Sequence, residues 1–282
     1  MIIDSHCHAW RYWPYQPPVP DPESRGTVEQ LLFEMDQNGV DQAVVVCARI
    51  DHNPDNNDYV AACVRRYPDR LHQFADVDCS WTETYHTPGA AQRLAETVER
   101  YQTKGFTHYV KADDDGAWFL SDEGIAFLEM AARLNQIASF ALPARLQPIL
   151  RQLAVRFPNV PFLCHHMAGA RAAEPPPYPQ FKDILESARV PNIYVKLSGF
   201  HYVSHVAWEY PYSDCGWIVR GLYEHYGPDR LCWGSDYPVV RRAMTYRQSL
   251  EAFRTHCTFI PDDHQARILG ENLHRLLMER RF

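Results

Sequence analysis

Short apolar stretches alternate with helical patterns along the whole of this 282-residue chain. Several of these stretches are apolar throughout, as at residues 43–47 (Ala-Val-Val-Val-Cys), which is typical of strands covered on both faces. The sequence predicts strands at residues 1–8, 43–47, 72–77, 106–111, 138–142, 160–165, 192–198 and 230–235. Helices are predicted at residues 27–39, 57–66, 90–103, 123–135, 146–157, 180–188, 215–226, 247–256 and 263–278. Strands joined by helices pair in parallel through right-handed crossovers, so eight such units predict a closed (β/α)8 barrel of the α/β class.

No change of composition and no flexible linker divides the chain, so we predict one domain over residues 1–282. A doubly wound open sheet is the alternative, but the first strand is not followed by the Gly-x-Gly-x-x-Gly pattern of dinucleotide-binding sheets. Barrel enzymes place their chemistry at the carboxyl ends of the strands. The residues at those ends are therefore the candidates for function.

Composition excludes several kinds of partner. A net charge of −7 without any basic run argues against a nucleic acid. No stretch approaches the roughly 18–20 apolar residues of a membrane span, and the amino terminus does not resemble a signal peptide. The eight cysteines are scattered and form no Cys-x-x-Cys pair, which favours a reducing, cytoplasmic location. We expect a small-molecule substrate, and a homo-oligomer is compatible with the sequence.

The first strand delivers two histidines, His6 and His8, at its end. Side chains alternate along a strand, so these two imidazoles point the same way and Cys7 points away. Two imidazoles on one face can share a metal ion or contact a substrate. The alternative is that they are ordinary polar residues at the end of a strand.

The eighth strand ends in Gly234-Ser-Asp236-Tyr-Pro238. Strands 1 and 8 are neighbours in a closed barrel, so we expect Asp236 beside His6 and His8. Two histidines and a carboxylate suit zinc, or next manganese, with positions left open for water or substrate. Asp236 could equally serve as the general base for a bound water, or simply form a turn before Pro238.

The sixth strand ends in His165-His166. Adjacent residues of a strand face opposite ways, so only one of the two is expected to face the barrel mouth. His166 continues the face of Phe162 and Cys164, which makes it the candidate for catalysis. His165 is then predicted to be a hydrogen-bonded packing residue.

Four further residues are candidates for binding substrate. Lys111 and Arg145 follow strands 4 and 5 and could hold a substrate carboxylate, although a salt bridge to the nearby acids is an alternative for the lysine. Lys196 and Ser198 share a strand face, which makes them candidates for the mouth or for the packed layers of the barrel, and His201 follows them. Residues 10–22, rich in proline and aromatic side chains, predict an ordered loop that covers the site.

These motifs resemble the amidohydrolase superfamily, and in particular the amidohydrolase-2 branch that contains sugar lactonases and the pyrone-dicarboxylate lactonase. The resemblance is carried by the motifs at residues 3–10 (Ile-Asp-Ser-His-Cys-His-Ala-Trp), 160–169, 195–199, 227–238 and 270–272. It implies that His6, His8 and Asp236 form the metal or catalytic set and that His166 contacts metal or substrate. Decarboxylating relatives have a further histidine at the end of strand 5, where this chain has Leu-Pro-Ala-Arg.

The resemblance favours hydrolysis of a lactone or related cyclic ester of a sugar acid or dicarboxylate. In this hypothesis Asp236 activates water, with one divalent metal or, as in part of the branch, without one. A metal-dependent decarboxylase of an aromatic or unsaturated acid is the first alternative. A barrel that binds a metabolite without catalysis is the second.

Overall fold

Eight parallel strands form one sheet in the order β1 to β8 in the computed structural model, which confirms the predicted (β/α)8 barrel. The structure describes residues 1–279, so the last three residues of the predicted domain lie outside the described part of the chain. The strands are β1 (Ile3–Cys7), β2 (Gln42–Val46), β3 (Leu71–Asp76), β4 (Gly105–Tyr109), β5 (Ile137–Ala141), β6 (Phe162–Cys164), β7 (Ile193–Leu197) and β8 (Leu231–Trp233).

The helices lie between these strands and after the last one. They are α1 (Val28–Asn38), α2 (Asn56–Arg66), α3 (Ala90–Tyr101), α4 (Ala117–Leu120), α5 (Asp122–Arg133), α6 (Gln147–Arg156), α7 (Pro179–Glu186), α8 (Phe200–Val203), α9 (Gly216–Tyr226), α10 (Tyr246–Arg254), α11 (Asp262–Ala266) and α12 (Asn272–Met278). The single helix predicted at 263–278 is interrupted by a π-helical turn, Arg267–Glu271. Gly270 in that turn lies so close to the backbone that a Cβ there would be 2.5 Å from the Met1 carbonyl oxygen. No helix within residues 1–279 is long and apolar enough to cross a membrane.

The barrel closes between β1 and the segment that follows β8. Cys7 forms a parallel bridge with Tyr237, and the His8 amide donates to the Tyr237 carbonyl at 2.6 Å. Asp4 reinforces this junction, because its Oδ1 accepts the amides of both His6 and Ser235, at 3.0 and 2.9 Å. The closure therefore fixes the end of β1 against the chain that carries Asp236.

The apolar core has two layers, and the alternation along each strand assigns residues to one or the other. On β2, Val45 belongs to the large cluster that includes the surrounding helices, whereas Val44 and Val46 belong to a smaller cluster. Helix α12 contributes Leu273 and two further leucines to the smaller cluster. The two layers bury the strands on both faces, and the polar site stands at their carboxyl ends.

Candidate active site

The two histidines of β1 lie on one face, as the period of a strand requires. The Nδ1 atom of His8 lies 2.7 Å from the Val46 carbonyl oxygen, a contact in which Nδ1–H must donate. The lone pair of His8 is therefore on Nε2. The ring of His8 also stacks on Trp10, with centroids 4.9 Å apart. Both contacts fix the direction in which Nε2 points.

Asp236 lies directly opposite these two imidazoles. Its backbone has φ +61°, a left-handed conformation that follows the end of β8, and its amide donates to the His6 carbonyl at 2.7 Å. One carboxylate oxygen, Oδ1, is 3.5 Å from Nε2 of His6 and 3.5 Å from Nε2 of His8. Oδ2 is buried and, among residues 1–279, has no partner within hydrogen-bonding distance.

Both histidines after β6 lie beside the cluster of His6, His8 and Asp236. The expectation that only one of the two faces the barrel mouth is therefore wrong. The ring centroids of His165 and His166 lie 4.5 and 4.6 Å from that of His6. The strand ends at Cys164, and His166 takes φ +45°, so the alternation of side chains stops one residue before the pair. Nε2 of His166 is 4.0 Å from Oδ1 of Asp236.

Ser198 and His201 lie near the same cluster. The Ser198 hydroxyl is 3.0 Å from Nδ1 of His166, so it orients that ring. His201 lies on α8 and is buried, with its ring 3.9 Å from the ring of Tyr202. The charge of Asp236 acts on His201, although burial has the larger effect and lowers the pKa of that imidazole.

Lys111 and Arg145 do not reach the cluster. Lys111 is exposed, and its Nζ lies 4.7 Å from the centroid of the Tyr85 ring. The guanidinium of Arg145 is also exposed and donates to the carbonyl of Asp114. Within the described residues, neither side chain forms a hydrogen bond or ion pair with Asp236. The chain after β4 and β5 uses these two cations to pack its own loops.

The sequence made Lys196, with Ser198, a candidate for the mouth or for the packed layers of the barrel; it lies below the histidines and is completely buried. Its Nζ is 2.8 Å from the hydroxyl of Ser139 and 3.1 Å from Nδ1 of His6. The Ser139 hydroxyl is in turn 2.7 Å from Nε2 of His165. A lysine within an apolar strand was the available signal, since an unpaired buried ammonium is costly. Lys196 thus connects two histidines that are far apart in the chain.

The protonation of Lys196 determines what His6 can do. An ammonium donates to Nδ1, which leaves the proton of a neutral His6 on Nε2. A neutral amine accepts from Nδ1–H and leaves the Nε2 lone pair free for a metal ion. Burial lowers the pKa of Lys196 to about 7, so both states are accessible near neutral pH. Ligation of a metal by His6 therefore requires the neutral amine.

Electrostatics keep Asp236 ionised and the imidazoles of His6 and His166 neutral. Burial favours the protonated carboxyl, but the neighbouring His166 and His8 hold the pKa of Asp236 below its usual range. Burial lowers the pKa of His166 to about 4 and that of His6 well below its usual range. At neutral pH the site consequently combines one carboxylate with neutral imidazoles at His6 and His166.

His6, His8 and Asp236 fit a divalent metal ion. Nε2 of His6 and Oδ2 of Asp236 are buried without partners among residues 1–279, and the Nε2 lone pair of His8 faces the same carboxylate. Ligands of a tetrahedral zinc ion, bound at about 2.0–2.1 Å, lie roughly 3.3 Å apart, close to the two 3.5 Å separations here. A second set, His6, His165 and His166, is also compact enough to hold an ion.

A cavity of about 380 Å³ opens beside the cluster. It is lined by His165 and His166 together with Tyr202, and on the β5 side by Leu142 and Pro143. This volume is at the lower end of the range of small-molecule sites. The cavity can therefore receive a small ring compound beside His165 and His166.

Two histidines on the first strand, two after the sixth and an aspartate after the eighth define an amidohydrolase-type barrel. The chain belongs to the amidohydrolase family Amidohydro_2, whose model matches residues 3–278, and it is a hydrolase of that family. It is 26% identical over 288 residues to the L-fucono-1,5-lactonase of Burkholderia ambifaria, covering 96% of this chain and 93% of the relative.

Solved structures share the fold over nearly the whole chain. An amidohydrolase from Burkholderia multivorans with bound zinc is 20% identical, with a TM-score of 0.79 and 99% of both chains covered. A probable 2-pyrone-4,6-dicarboxylic acid hydrolase from Acinetobacter baumannii with bound citric acid is 19% identical, with a TM-score of 0.77 and 98% and 99% covered. The 2,6-dihydroxybenzoate decarboxylase from Rhizobium is 14% identical, with a TM-score of 0.70 and 99% and 98% covered.

Proposed function

We propose that this protein hydrolyses a lactone or related cyclic ester, with Asp236 as the group that activates water. The observation that carries the proposal is the ionised Asp236 carboxylate, which faces two imidazoles with Oδ1 and leaves Oδ2 free. Lactone-hydrolysing relatives support the choice of substrate class. Cytoplasmic location is also proposed, since all eight cysteines are buried and free.

In this mechanism Oδ2 of Asp236 accepts a proton from a water molecule as its oxygen attacks the lactone carbonyl. The acyl–oxygen bond of the ring then breaks, and the proton passes from Asp236 to the departing alkoxide. General acid–base action of this kind contributes about 10²–10⁴ in rate. Nε2 of His166, 4.0 Å from the carboxylate, is placed to contact the carbonyl or the leaving oxygen.

His6, His8 and Oδ1 of Asp236 would hold a divalent metal, for which we propose zinc first and manganese second. When bound, such an ion polarises the carbonyl and lowers the pKa of water. Without an ion, the imidazoles of the cluster would bind the carbonyl oxygen through hydrogen bonds. In both cases the chain's own contribution is to hold the carboxylate ionised and buried beside the reacting carbon.

A pH-indicator assay on a panel of sugar-acid and dicarboxylate lactones, with and without chelator, tests the proposal. We expect the wild type to hydrolyse at least one lactone and Asp236→Asn to lose about 10³-fold in kcat/KM. Asp69→Asn is the matched control, because it removes an exposed carboxylate just before β3, at the opposite end of the barrel. An Asp236→Asn variant with full activity on that lactone would refute the mechanism.

A decarboxylase is the second candidate, and the likeness in fold to the Rhizobium enzyme supports it. The end of β5 speaks against it, because Ala141 and Leu142 stand there and no histidine does. Release of carbon dioxide from an aromatic acid, lost on chelation, would favour this candidate over lactone hydrolysis.

A further inference from the structure

The segment after β8 carries a positive charge, Arg242. Arg242 ends a 3₁₀ turn, Val239–Arg242, which begins just beyond Asp236. Its guanidinium carbon lies 5.7 Å from the centroid of the Tyr15 ring, and the side chain is exposed. The sequence predicted that Lys111 and Arg145 hold a substrate carboxylate, but both side chains are engaged elsewhere.

In the described part of the chain, the side chain of Arg242 has no acidic partner. Many arginines of this chain form ion pairs, as Arg93 does with Asp78 at 2.8 Å and Arg25 with Asp21 at 2.6 Å. Among residues 1–279, the side chain of Arg242 forms no salt bridge and no hydrogen bond, and it contacts the ring of Tyr15. Its five N–H donors are therefore available to an incoming anion.

Two tyrosines connect Arg242 to the catalytic carboxylate. On one side the ring of His8 stacks on Trp10, and Trp10 contacts Tyr15 edge-on at 5.5 Å. On the other side the ring of Tyr202 lies 5.2 Å from His166. The charges of Asp236 and Arg242 both act on Tyr15 and on Tyr202, so the two phenols lie within electrostatic reach of both.

We propose that Arg242, with the phenol of Tyr15, binds a carboxylate carried by the lactone on the side away from the ester carbonyl. The inference rests on the proposed lactone hydrolysis and narrows its substrate class to anionic lactones. A guanidinium can grip a carboxylate with two parallel hydrogen bonds, which fixes its orientation as well as its position.

The positions of the Asp236 and Arg242 charges explain why an anionic substrate would bind in one orientation. Asp236 would repel a carboxylate placed beside it, whereas Arg242 would attract it at the outer edge of the mouth. The reacting carbonyl is then the part that is turned toward Asp236. Tyr15 belongs to the proline-rich loop at 10–22, so this loop would contribute to the subsite rather than only cover it.

Paired substrates test this subsite by kinetics. The probes are 5-oxotetrahydrofuran-2-carboxylate and the same lactone with a neutral carboxamide in place of the carboxylate. We expect Arg242→Gln to lower kcat/KM for the carboxylate about 10- to 100-fold, mainly through KM, and to leave the amide within about 3-fold. Arg242→Lys should restore part of the loss. Arg241→Gln, the same change at the exposed neighbour, should alter neither substrate.

Equal losses on both lactones, or a wild type without preference for the carboxylate, would overturn the proposal. A second measurement separates it from the proposed function: calorimetric titration of glutarate into wild type, Arg242→Gln and Arg241→Gln. We expect the Kd to rise about 10- to 100-fold only in Arg242→Gln. If neither lactone is hydrolysed but this pattern appears, the subsite stands and lactone hydrolysis fails. If glutarate binds Arg242→Gln as it binds the wild type, the subsite is refuted.

Discussion

The barrel contains two groups of histidines, and they differ in what their nitrogens contact. The mouth cluster consists of His6, His8, His165, His166 and Asp236. The side cluster, in the loops and strands around β3 and β4, consists of His86 and His108 with Tyr85, Asp114 and Trp118. Both groups are largely buried, contain several aromatic contacts and include an aspartate.

In the side cluster each imidazole nitrogen has a partner. Nδ1 of His108 lies 2.9 Å from the Val77 carbonyl, and its Nε2 lies 3.2 Å from Nε2 of His86. Nδ1 of His86 is 3.2 Å from the carboxylate of Asp114. The ring of His86 is also stacked between Tyr85 and Trp118, with centroids 3.8 and 4.1 Å away.

The mouth cluster leaves polar atoms without partners at its centre. Nε2 of His6, Nδ1 of His165 and Oδ2 of Asp236 are buried and have none among residues 1–279. An unsatisfied buried polar atom costs stability, so its presence indicates an occupant that supplies the missing contact. The comparison teaches that histidines gathered around an aspartate do not by themselves make a site. Buried polar atoms that lack partners and lie close together indicate a site.

The largest expected difference is in activity. His8→Gln should lower kcat/KM about 10³-fold and remove bound metal, because it replaces the lone pair that faces Asp236. His86→Gln should change kcat/KM less than about 3-fold, since every imidazole nitrogen of the side cluster already has a partner within it or on the nearby backbone. Steady-state kinetics with elemental analysis of both variants checks this. Comparable losses in the two variants would show that the distinction between the clusters is wrong.

For stability we expect the opposite ranking: a change in the side cluster should cost more than a change in the mouth cluster. His86→Ala removes one partner from Asp114 and one from His108, together with a stacked ring, so we expect a loss of about 2–3 kcal/mol in the free energy of unfolding. His166→Ala removes a single hydrogen bond, to Ser198, and should cost about 1 kcal/mol. Urea denaturation of chelator-treated protein measures both. A more damaging change at His166 than at His86 would contradict the prediction.

Lys196→Met should separate stability from function within the mouth cluster. The buried amine has no carboxylate within ion-pair distance among residues 1–279, and methionine fills a similar volume without a charge to bury. We expect the free energy of unfolding to rise by about 1–3 kcal/mol while kcat/KM falls at least about 10-fold. Lys196→Leu serves as a second variant if methionine packs poorly. A variant that loses stability would show that the contacts to Ser139 and His6 outweigh the cost of burial.

The smallest effect concerns His72, which lies in neither cluster and provides a baseline for acid sensitivity. Burial, with the nearby Lys104 and His274, lowers the pKa of His72 from 6.5 to about 4. Between those values the unfolded chain binds a proton that the native protein does not, so stability falls as the pH drops from 6.5 to 4. His72→Gln should reduce this acid-induced loss by roughly 1–3 kcal/mol and leave the behaviour above pH 7 unchanged. Denaturation at pH 7.5, 5.5 and 4.5 measures it; an unchanged slope would refute it.

The sequence by itself determined the architecture and the site's first two histidines. Strands covered on both faces must be apolar throughout, so the run at 43–47 was visible without a structure. The period of a strand places His6 and His8 on one face, and barrel closure makes the eighth strand a neighbour of the first. The position of Asp236 beside that pair follows from those two facts, and the distances of 3.5 Å agree.

Only the tertiary structure decided which other side chains meet there. A left-handed backbone at His166 turns this second histidine toward His6 alongside His165, and alternation along a strand cannot predict that. Lys111 and Arg145 follow strands 4 and 5, yet their long side chains take partners in neighbouring loops. Lys196 and Arg242 contact side chains from segments that are far away in the sequence. Periodicity determines the face a residue lies on, whereas the direction of a flexible side chain depends on packing between distant segments.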